Sequence, residues 1–185
     1  MLPILLIIGL VIVVLGVVSA YNSLIALKNQ VMNAWKQIDV QLKRRHDLIP
    51  NLVNTVKGAM NFERQTLDAV ITARNHADSA TGVAATAKAE GELTQALGRL
   101  FALTEAYPDL KATGNIAQLQ EEITSTENKI GFARQAYNDT ATAYNTRQMQ
   151  FPTNLVAGLA KAVPAELWEI EDAAERAVPK VDLTM

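Results

Sequence analysis

The chain has 185 residues, of which 49% are hydrophobic and 19% charged, and its formal net charge is −2. This near balance provides no global field that selects nucleic acid or acidic substrates, so we expect no nucleic-acid partner. The absence of cysteine excludes disulfides, thiolate zinc sites and iron–sulfur clusters. Aromatic residues make up only 5% of the chain and alanine is abundant, which favours helices over sheets.

The first twenty residues contain no charged side chain, and the first charged residue is Lys28. A helix of this length matches the ~30 Å hydrocarbon layer of a bilayer at about 1.5 Å per residue. We therefore predict a transmembrane anchor over residues 1–21. The alternative is a cleaved signal peptide, for which Val18-Ser19-Ala20 fits the small-x-small cleavage pattern. The anchor is favoured because no basic residue precedes the run and the helical pattern continues beyond it.

Basic residues follow the anchor and none precedes it. Residues 21–58 contain six basic and two acidic side chains, and Lys28 and Lys36 lie nearest the membrane edge. The positive-inside bias then predicts a single-pass protein of the cell (inner) membrane, with its N-terminus outside and its helical domain in the cytoplasm.

The segment after the anchor shows apolar residues at a seven-residue spacing, which is typical of helices that pack lengthwise in a bundle or coiled coil. Two neighbouring stripes follow this spacing: Leu24, Val31, Ile38 and Leu52, and Trp35, Leu42, Ile49 and Val56. Pro50 interrupts the segment, since proline removes a helical hydrogen bond and clashes with the preceding turn. The apolar spacing resumes in register beyond Pro50, so we expect a kink there and not a helix end.

Three further helices are predicted at residues 61–77, 83–106 and 115–148, and Phe151-Pro152 ends the last of them. A short apolar segment follows at residues 155–163. The last predicted long helix repeats a large residue at every seventh position: Ile116, Ile123, Ile130, Tyr137 and Tyr144. The sequence therefore predicts an all-α fold, in which the transmembrane helix runs into an up-and-down antiparallel bundle of about four helices. We expect this bundle domain at residues 22–163 and an acidic C-terminal tail at 164–185.

Several blocks of the sequence resemble the LemA family. The longest is WKQIDVQLKRRHDLIPNLV at residues 35–53, and it is accompanied by EAYPDLK at 105–111, TENKI at 126–130 and ARQAYND at 133–139. The resemblance implies one N-terminal membrane helix, a helical bundle and no established enzymatic activity. It also implies a role in scaffolding or membrane organisation, because a relative acts in building magnetosome membranes and members are often encoded near a membrane metalloprotease.

Arg45 is the most unusual residue, because it occupies an apolar position of the stripe that runs from Leu24 to Leu52. A buried guanidinium needs a carboxylate or several carbonyl partners. Glu127, between Ile123 and Ile130, is the candidate partner. We interpret the two residues as a core pair that sets helix register, the alternative being an arginine that extends to solvent.

The sequence shows no catalytic constellation. His46 and His76 are its only histidines, and they lack the spacing of a metal motif, so we expect both to be exposed and to bind no metal. No serine or threonine has a neighbouring activating base, and no glycine-rich phosphate loop is present. We therefore predict a protein that is not an enzyme and has no cofactor.

Gly9 and Gly16 lie on one face of the anchor, where small residues allow close approach of membrane helices, and they predict a homo-oligomer. The hydroxyls of Tyr137 and Tyr144 are expected to form hydrogen bonds between helices. The candidate structural and assembly residues are Gly9, Gly16, Trp35, Arg45, Pro50, Glu127 and Tyr137.

The sequence thus favours a non-enzymatic, membrane-anchored helical scaffold that self-associates and organises a membrane or membrane-protein partners. The alternative is an adaptor or regulator of a membrane protease, for which the acidic tail is the obvious contact. A metal-dependent or hydrolytic enzyme is the least favoured class. The expected partners are the lipid bilayer, further copies of the chain and another membrane protein such as a protease.

Overall fold

The computed structural model describes residues 2–59, 64–107 and 114–169. Five helices occupy these ranges: α1 (Leu2–Ala59), α2 (Arg64–Ser79), α3 (Val83–Ala106), α4 (Gly114–Met149) and α5 (Asn154–Ala157). No strand occurs in the described ranges. The predicted all-α fold, with a long apolar N-terminal helix followed by a helical bundle, is confirmed. Most of the predicted acidic tail, residues 170–185, lies outside the described part of the chain.

Helix α1 is continuous over 58 residues and includes Pro50. Pro50 is exposed, whereas Ile49, Leu52 and Val53 beside it are buried. A proline inside a helix costs about 3 kcal/mol, and burying each large aliphatic side chain contributes roughly 1.5–3 kcal/mol. The buried contacts on both sides therefore outweigh the local cost, and the prediction that Pro50 does not end the helix is confirmed.

The N-terminal part of α1 has no buried residue between positions 2 and 19. Among the described residues, α1 is the helix whose length and apolar composition suffice to cross a membrane. An apolar surface that is exposed on every side of a helix is what contact with hydrocarbon requires. This part of α1 therefore has the properties predicted for the anchor.

The chain divides into two compact units. Of the described residues, we call those within 1–41 and 129–167 the anchor unit, and those within 42–128 with 168–169 the four-helix unit. The predicted domain boundaries near residues 21 and 163 stay a prediction.

The core of the four-helix unit is formed by the end of α1, by α2 and α3, and by the beginning of α4. Helices α2 and α3 are joined by only three residues, and such a short connection makes them antiparallel neighbours. Gly82 in this connection has φ of 88°, which glycine adopts without steric cost. The main buried side chains of the core are Ile49, Leu52, Val56, Leu67, Val70, Leu93, Leu97, Leu100, Ile116 and Ile123.

The anchor unit has a smaller core, in which Leu24 of α1, Tyr144 of α4 and Ala160 pack together. The rings of Trp35 and Tyr137 meet edge to face in the same unit, with centroids 5.4 Å apart. Such a ring pair contributes about 0.5–1.5 kcal/mol beyond the area it buries. Heptad positions of α4 therefore lie in both cores: Ile116 and Ile123 in that of the four-helix unit, and Tyr144 in that of the anchor unit.

Candidate functional site

Charged and polar side chains meet inside the four-helix unit, and each of its helices contributes at least one of them. We call this group the ionic cluster; its members are Arg45, His46, Asp78, Glu90, Thr94 and Glu127. Arg45 is only 1% exposed and is the largest fully buried side chain in the described residues. A cation in this position needs compensation from the surrounding helices.

The Arg45 guanidinium is shared between two carboxylates. Its Nη2 donates to Glu90 on α3 and its Nη1 donates to Glu127 on α4. Nη1 also donates to Thr94 Oγ1 at 3.1 Å. The structure thus places Glu127 against Arg45, as the sequence suggested, and adds Glu90 as a second and more deeply buried partner.

Glu90 was missed by sequence reasoning although a signal for it exists. It lies three residues before Leu93 and seven before Leu97, so it occupies a position of the buried face of α3. This is the same anomaly that singled out Arg45: a charged residue where the helical period requires an apolar one.

His46 is buried, and the expectation that it is exposed was wrong. It is 5% exposed, because it lies four residues after Leu42 and three before Ile49 on the inward face of α1. Its Nε2 donates to Glu90 Oε1 at 2.7 Å, and its Nδ1 lies 3.4 Å from Asp78 Oδ1. His76, by contrast, is exposed, with its Nδ1 2.9 Å from Glu92 Oε2.

The electrostatics of Glu90 follow from these contacts. Burial raises the pKa of its carboxyl, but the hydrogen bond from His46 and the positive charge of Arg45 outweigh burial and hold the pKa below its usual range. Glu90 is therefore ionised at neutral pH. Its charge, like that of Arg45, is enclosed by protein.

The ionic cluster is suited to holding helices and not to meeting a substrate. Arg45, His46 and Glu90 are each at most 5% exposed, and Arg45 and His46 are both bonded to Glu90. In the described ranges, no group of three or more His, Asp or Glu side chains has a geometry that holds a metal ion. Each bond within the cluster requires a particular axial position of two helices, so the cluster disfavours packing in a shifted register.

The anchor unit contains a second polar arrangement around Tyr137. Its hydroxyl donates to the backbone carbonyl of Glu166 at 2.7 Å, so the expected bond between helices was wrong: the acceptor lies in the irregular segment after α5. Burial raises the pKa of Tyr137, and the negative charge of Glu166 raises it further. Asn145 holds the same segment through two hydrogen bonds of 2.8 Å with the backbone of Ala165.

The remaining predicted residues do not join the ionic cluster. Gly9 and Gly16 lie on the exposed anchor, where a Cβ atom added to either meets no atom of the chain within 4 Å. Trp35 and Tyr137 form the ring pair of the anchor unit. Pro50 is exposed on α1. The roles of the seven residues in assembly stay a prediction.

Fold and cluster together define a class: all-helical proteins in which a long apolar N-terminal helix continues into a bundle that encloses an ionic cluster. The model of the LemA family matches residues 34–183. The chain therefore belongs to the LemA family, which the resemblance of its sequence blocks had indicated.

Individual relatives also match parts of the chain. Protein LemA of Metamycoplasma hominis is 31% identical over 142 residues, which cover 76% of this chain and 64% of that protein. Magnetosome protein MamQ 2 of Paramagnetospirillum magneticum is 29% identical over 87 residues, covering 47% of this chain and 32% of that protein. Magnetosome protein MamQ of Magnetospirillum gryphiswaldense is 29% identical over 69 residues, covering 37% and 25%.

The matches thus span less than two thirds of the length of these relatives. None of these relatives is named as an enzyme. The apolar length of α1 and the family membership together indicate a membrane-associated protein.

Proposed function

We propose that this chain is a non-enzymatic, single-pass membrane scaffold that self-associates and organises a membrane or membrane-protein partners. The observation that carries the proposal is the surface of α1: residues 2–19 are uncharged and all exposed, and the same continuous helix supplies Arg45 and His46 to the ionic cluster. One helix therefore combines a surface suited to lipid with a position fixed inside a water-facing unit.

The structural character of the ionic cluster supports a non-enzymatic role. An active site presents polar groups in a concave pocket that a substrate reaches. In this chain the most unusual polar groups are enclosed and bonded to groups of opposite charge. Their arrangement favours a fixed helix register over chemistry.

The proposed address is the cell (inner) membrane, with the N-terminus outside and the helical units in the cytoplasm. The support is the excess of basic residues after the anchor. Because the chain has no cysteine, an Asp139→Cys variant carries a single thiol at an exposed position of α4. We expect a membrane-impermeant maleimide to label this thiol only after the cells are opened; labelling of intact cells reverses the orientation.

Self-association through the anchor is supported by the open space around Gly9 and Gly16. Since an added side chain there meets nothing within its own chain, a loss of assembly on substitution reports a contact with another helix. The test compares the Gly9→Leu, Gly16→Leu double variant with a Val11→Leu, Val18→Leu control. The control residues are also seven apart, on a face about 200° around the helix from the glycines.

The measurement is the mass of each full-length protein in mild detergent by light scattering. We expect the unsubstituted chain and the valine control to form the same discrete assembly, and the glycine variant to form a smaller one. A monomeric unsubstituted chain contradicts self-association and favours the alternative of an adaptor or regulator of a membrane protease. A glycine variant of unchanged mass excludes the glycine face as the contact.

A further inference from the structure

The anchor unit carries a second exposed apolar surface, distant in sequence from the transmembrane run. Its large side chains are between 65% and 77% exposed: Met149, Phe151, Leu155, Leu159 and Val163. We call it the 149–163 surface. Large contiguous apolar patches are uncommon on proteins surrounded by water and mark contact with another apolar phase or a partner.

The helical part of the backbone places two of these side chains, Leu155 and Leu159, on one face. The Asn154 N–H donates to the Gln150 carbonyl at 2.9 Å and the Ala160 N–H donates to the Val156 carbonyl at 3.0 Å, both with helical spacing. Residues four apart on such a backbone are neighbours, as Leu155 and Leu159 are, while Met149 and Phe151 precede this helical turn and Val163 follows its end. On the opposite face, Val156 and Ala160 are buried.

The buried face of this segment packs close to the end of the anchor. Ala160 lies in one apolar cluster with Leu24, and Ala157 packs against the same cluster. Leu24 follows Tyr21, the last residue of the predicted anchor, by about 4.5 Å along the helix axis. The polar zone on each side of a bilayer is about 5–8 Å thick. When residues 1–21 span the bilayer, the 149–163 surface therefore lies at the depth of the lipid headgroups.

The charge of the segment suits a phospholipid surface. Lys161 is the only charged residue between positions 149 and 163, and it is exposed. It lies at φ 46°, and its N–H donates to the Gly158 carbonyl while the Ala162 N–H donates to the Ala157 carbonyl. This is the helix-ending Schellman arrangement, in which glycine usually occupies the left-handed position. A lysine in the left-handed conformation is sterically unfavourable. Its charged side chain lies in the same segment as the exposed apolar side chains.

We propose that the 149–163 surface is a second membrane contact, in which its apolar side chains enter the headgroup region beside the anchor and Lys161 pairs with lipid phosphate. This inference rests on the proposed function, because it requires residues 1–21 to span the bilayer. A second copy of the chain is the competing occupant of the surface.

The test uses single cysteines carrying an environment-sensitive fluorophore in the full chain, which has no cysteine of its own. Leu159→Cys and Leu155→Cys report the 149–163 surface, and Leu10→Cys reports the anchor. Phe132→Cys is the matched control, since Phe132 is an exposed apolar residue of the same unit at 74% exposure. Each protein is reconstituted into phosphatidylcholine vesicles containing some phosphatidylglycerol, with lipids that carry a quencher at a shallow or a deep position.

We expect the shallow quencher to reduce emission from the labels at 159 and 155 several-fold more than from the label at 132, and the deep quencher to act on the label at 10. If the label at 10 is quenched while those at 159 and 155 behave like that at 132, the second contact is overturned and the anchor stands. If the label at 10 is not quenched, the proposed membrane anchor itself fails. If the label at 159 is shielded from water but not quenched, and the shielding decreases on dilution in lipid, a second copy covers the surface and the proposal is overturned.

Discussion

In the four-helix unit, charged side chains lie inside, and Arg45 and Glu90 are almost fully enclosed. In the anchor unit, large apolar side chains lie outside, and Phe151 and Leu159 are each 77% exposed. Both arrangements oppose the usual partition of residues in a protein surrounded by water. The first is compensated within the chain, since each buried charge has an opposite charge beside it. The second is left exposed among the described residues, and the proposed second membrane contact would cover it.

The largest expected effect comes from breaking the internal compensation. Arg45→Met leaves the Glu90 carboxylate buried without its cation, and removing one partner of a buried ion pair costs about 3–5 kcal/mol. We expect a large loss of thermal stability, measured by the helical circular dichroism of the full chain in detergent. Arg44→Met is the matched control, because Arg44 is exposed and its replacement removes the same charge from the neighbouring position.

A second variant separates charge compensation from helix register. Adding Glu90→Gln to Arg45→Met removes the uncompensated charge, keeps an acceptor for His46 and leaves Glu127 partly exposed to water. We expect the double variant to recover most of the lost stability while its oligomeric mass changes, since the register-setting bonds are gone. An unchanged mass contradicts the role of the cluster in register.

The second effect is a dependence of stability on pH that belongs to the four-helix unit. The pKa of Glu90 is held below its ordinary value of 4.5 in the folded chain. A lowered folded pKa contributes stability that is present above the unfolded pKa and is lost as pH falls through the folded pKa. We therefore expect the melting temperature to decrease as the pH is lowered below about 4.5. The decrease is expected to be smaller in the Glu90→Gln variant.

The control for this pH effect is Glu92→Gln. Glu92 is two residues away on the same helix but exposed, where it lies beside His76. We expect its replacement to leave the acid-induced fall intact. An equal response of the two variants assigns the fall to general charge repulsion in acid and not to the ionic cluster.

The third effect concerns how the anchor unit holds its last described segment. Tyr137→Phe removes the hydrogen bond to the Glu166 carbonyl and keeps the ring against Trp35. A bond of this kind contributes about 0.5–1.5 kcal/mol. We expect faster hydrogen exchange at residues 165–167 without a change at Ile123 in the four-helix core. Uniformly faster exchange contradicts a local role for the hydroxyl.

The two regions also differ in how far the sequence predicts them. The heptad stripes predicted the helices, because a side chain at every seventh position must lie on one face whatever its neighbours are. Arg45 was found because it interrupts such a stripe. Glu90 was missed because α3 is rich in small residues, so the buried face of this helix is less evident in the sequence. The burial of His46 was missed because polar residues on a helix are usually exposed.

For the anchor unit, periodicity predicted the apolar segment 155–163 but not its exposure. Which face of a short helix is buried depends on what packs against it, and Leu24, which lies in the same apolar cluster as Ala160, is distant from this segment along the chain. The bond from Tyr137 to a backbone carbonyl was unpredictable for the same reason: backbone acceptors are present at every position of the sequence.

The smallest expected effect, at Lys161, separates conformation from charge. Lys161→Gly removes the steric cost of the left-handed backbone position, but it also makes the unfolded chain more flexible. We therefore expect the free energy of unfolding in neutral detergent to rise by about 1 kcal/mol or less. Lys161→Asn also tolerates this backbone, and like the glycine variant it lacks the cation. If lipid phosphate pairs with Lys161, both variants lose part of the shallow quenching at a Leu159→Cys label in anionic vesicles, while only their stabilities differ. If quenching instead follows the stability of each variant and not the loss of the cation, the role of Lys161 is limited to ending the helical turn.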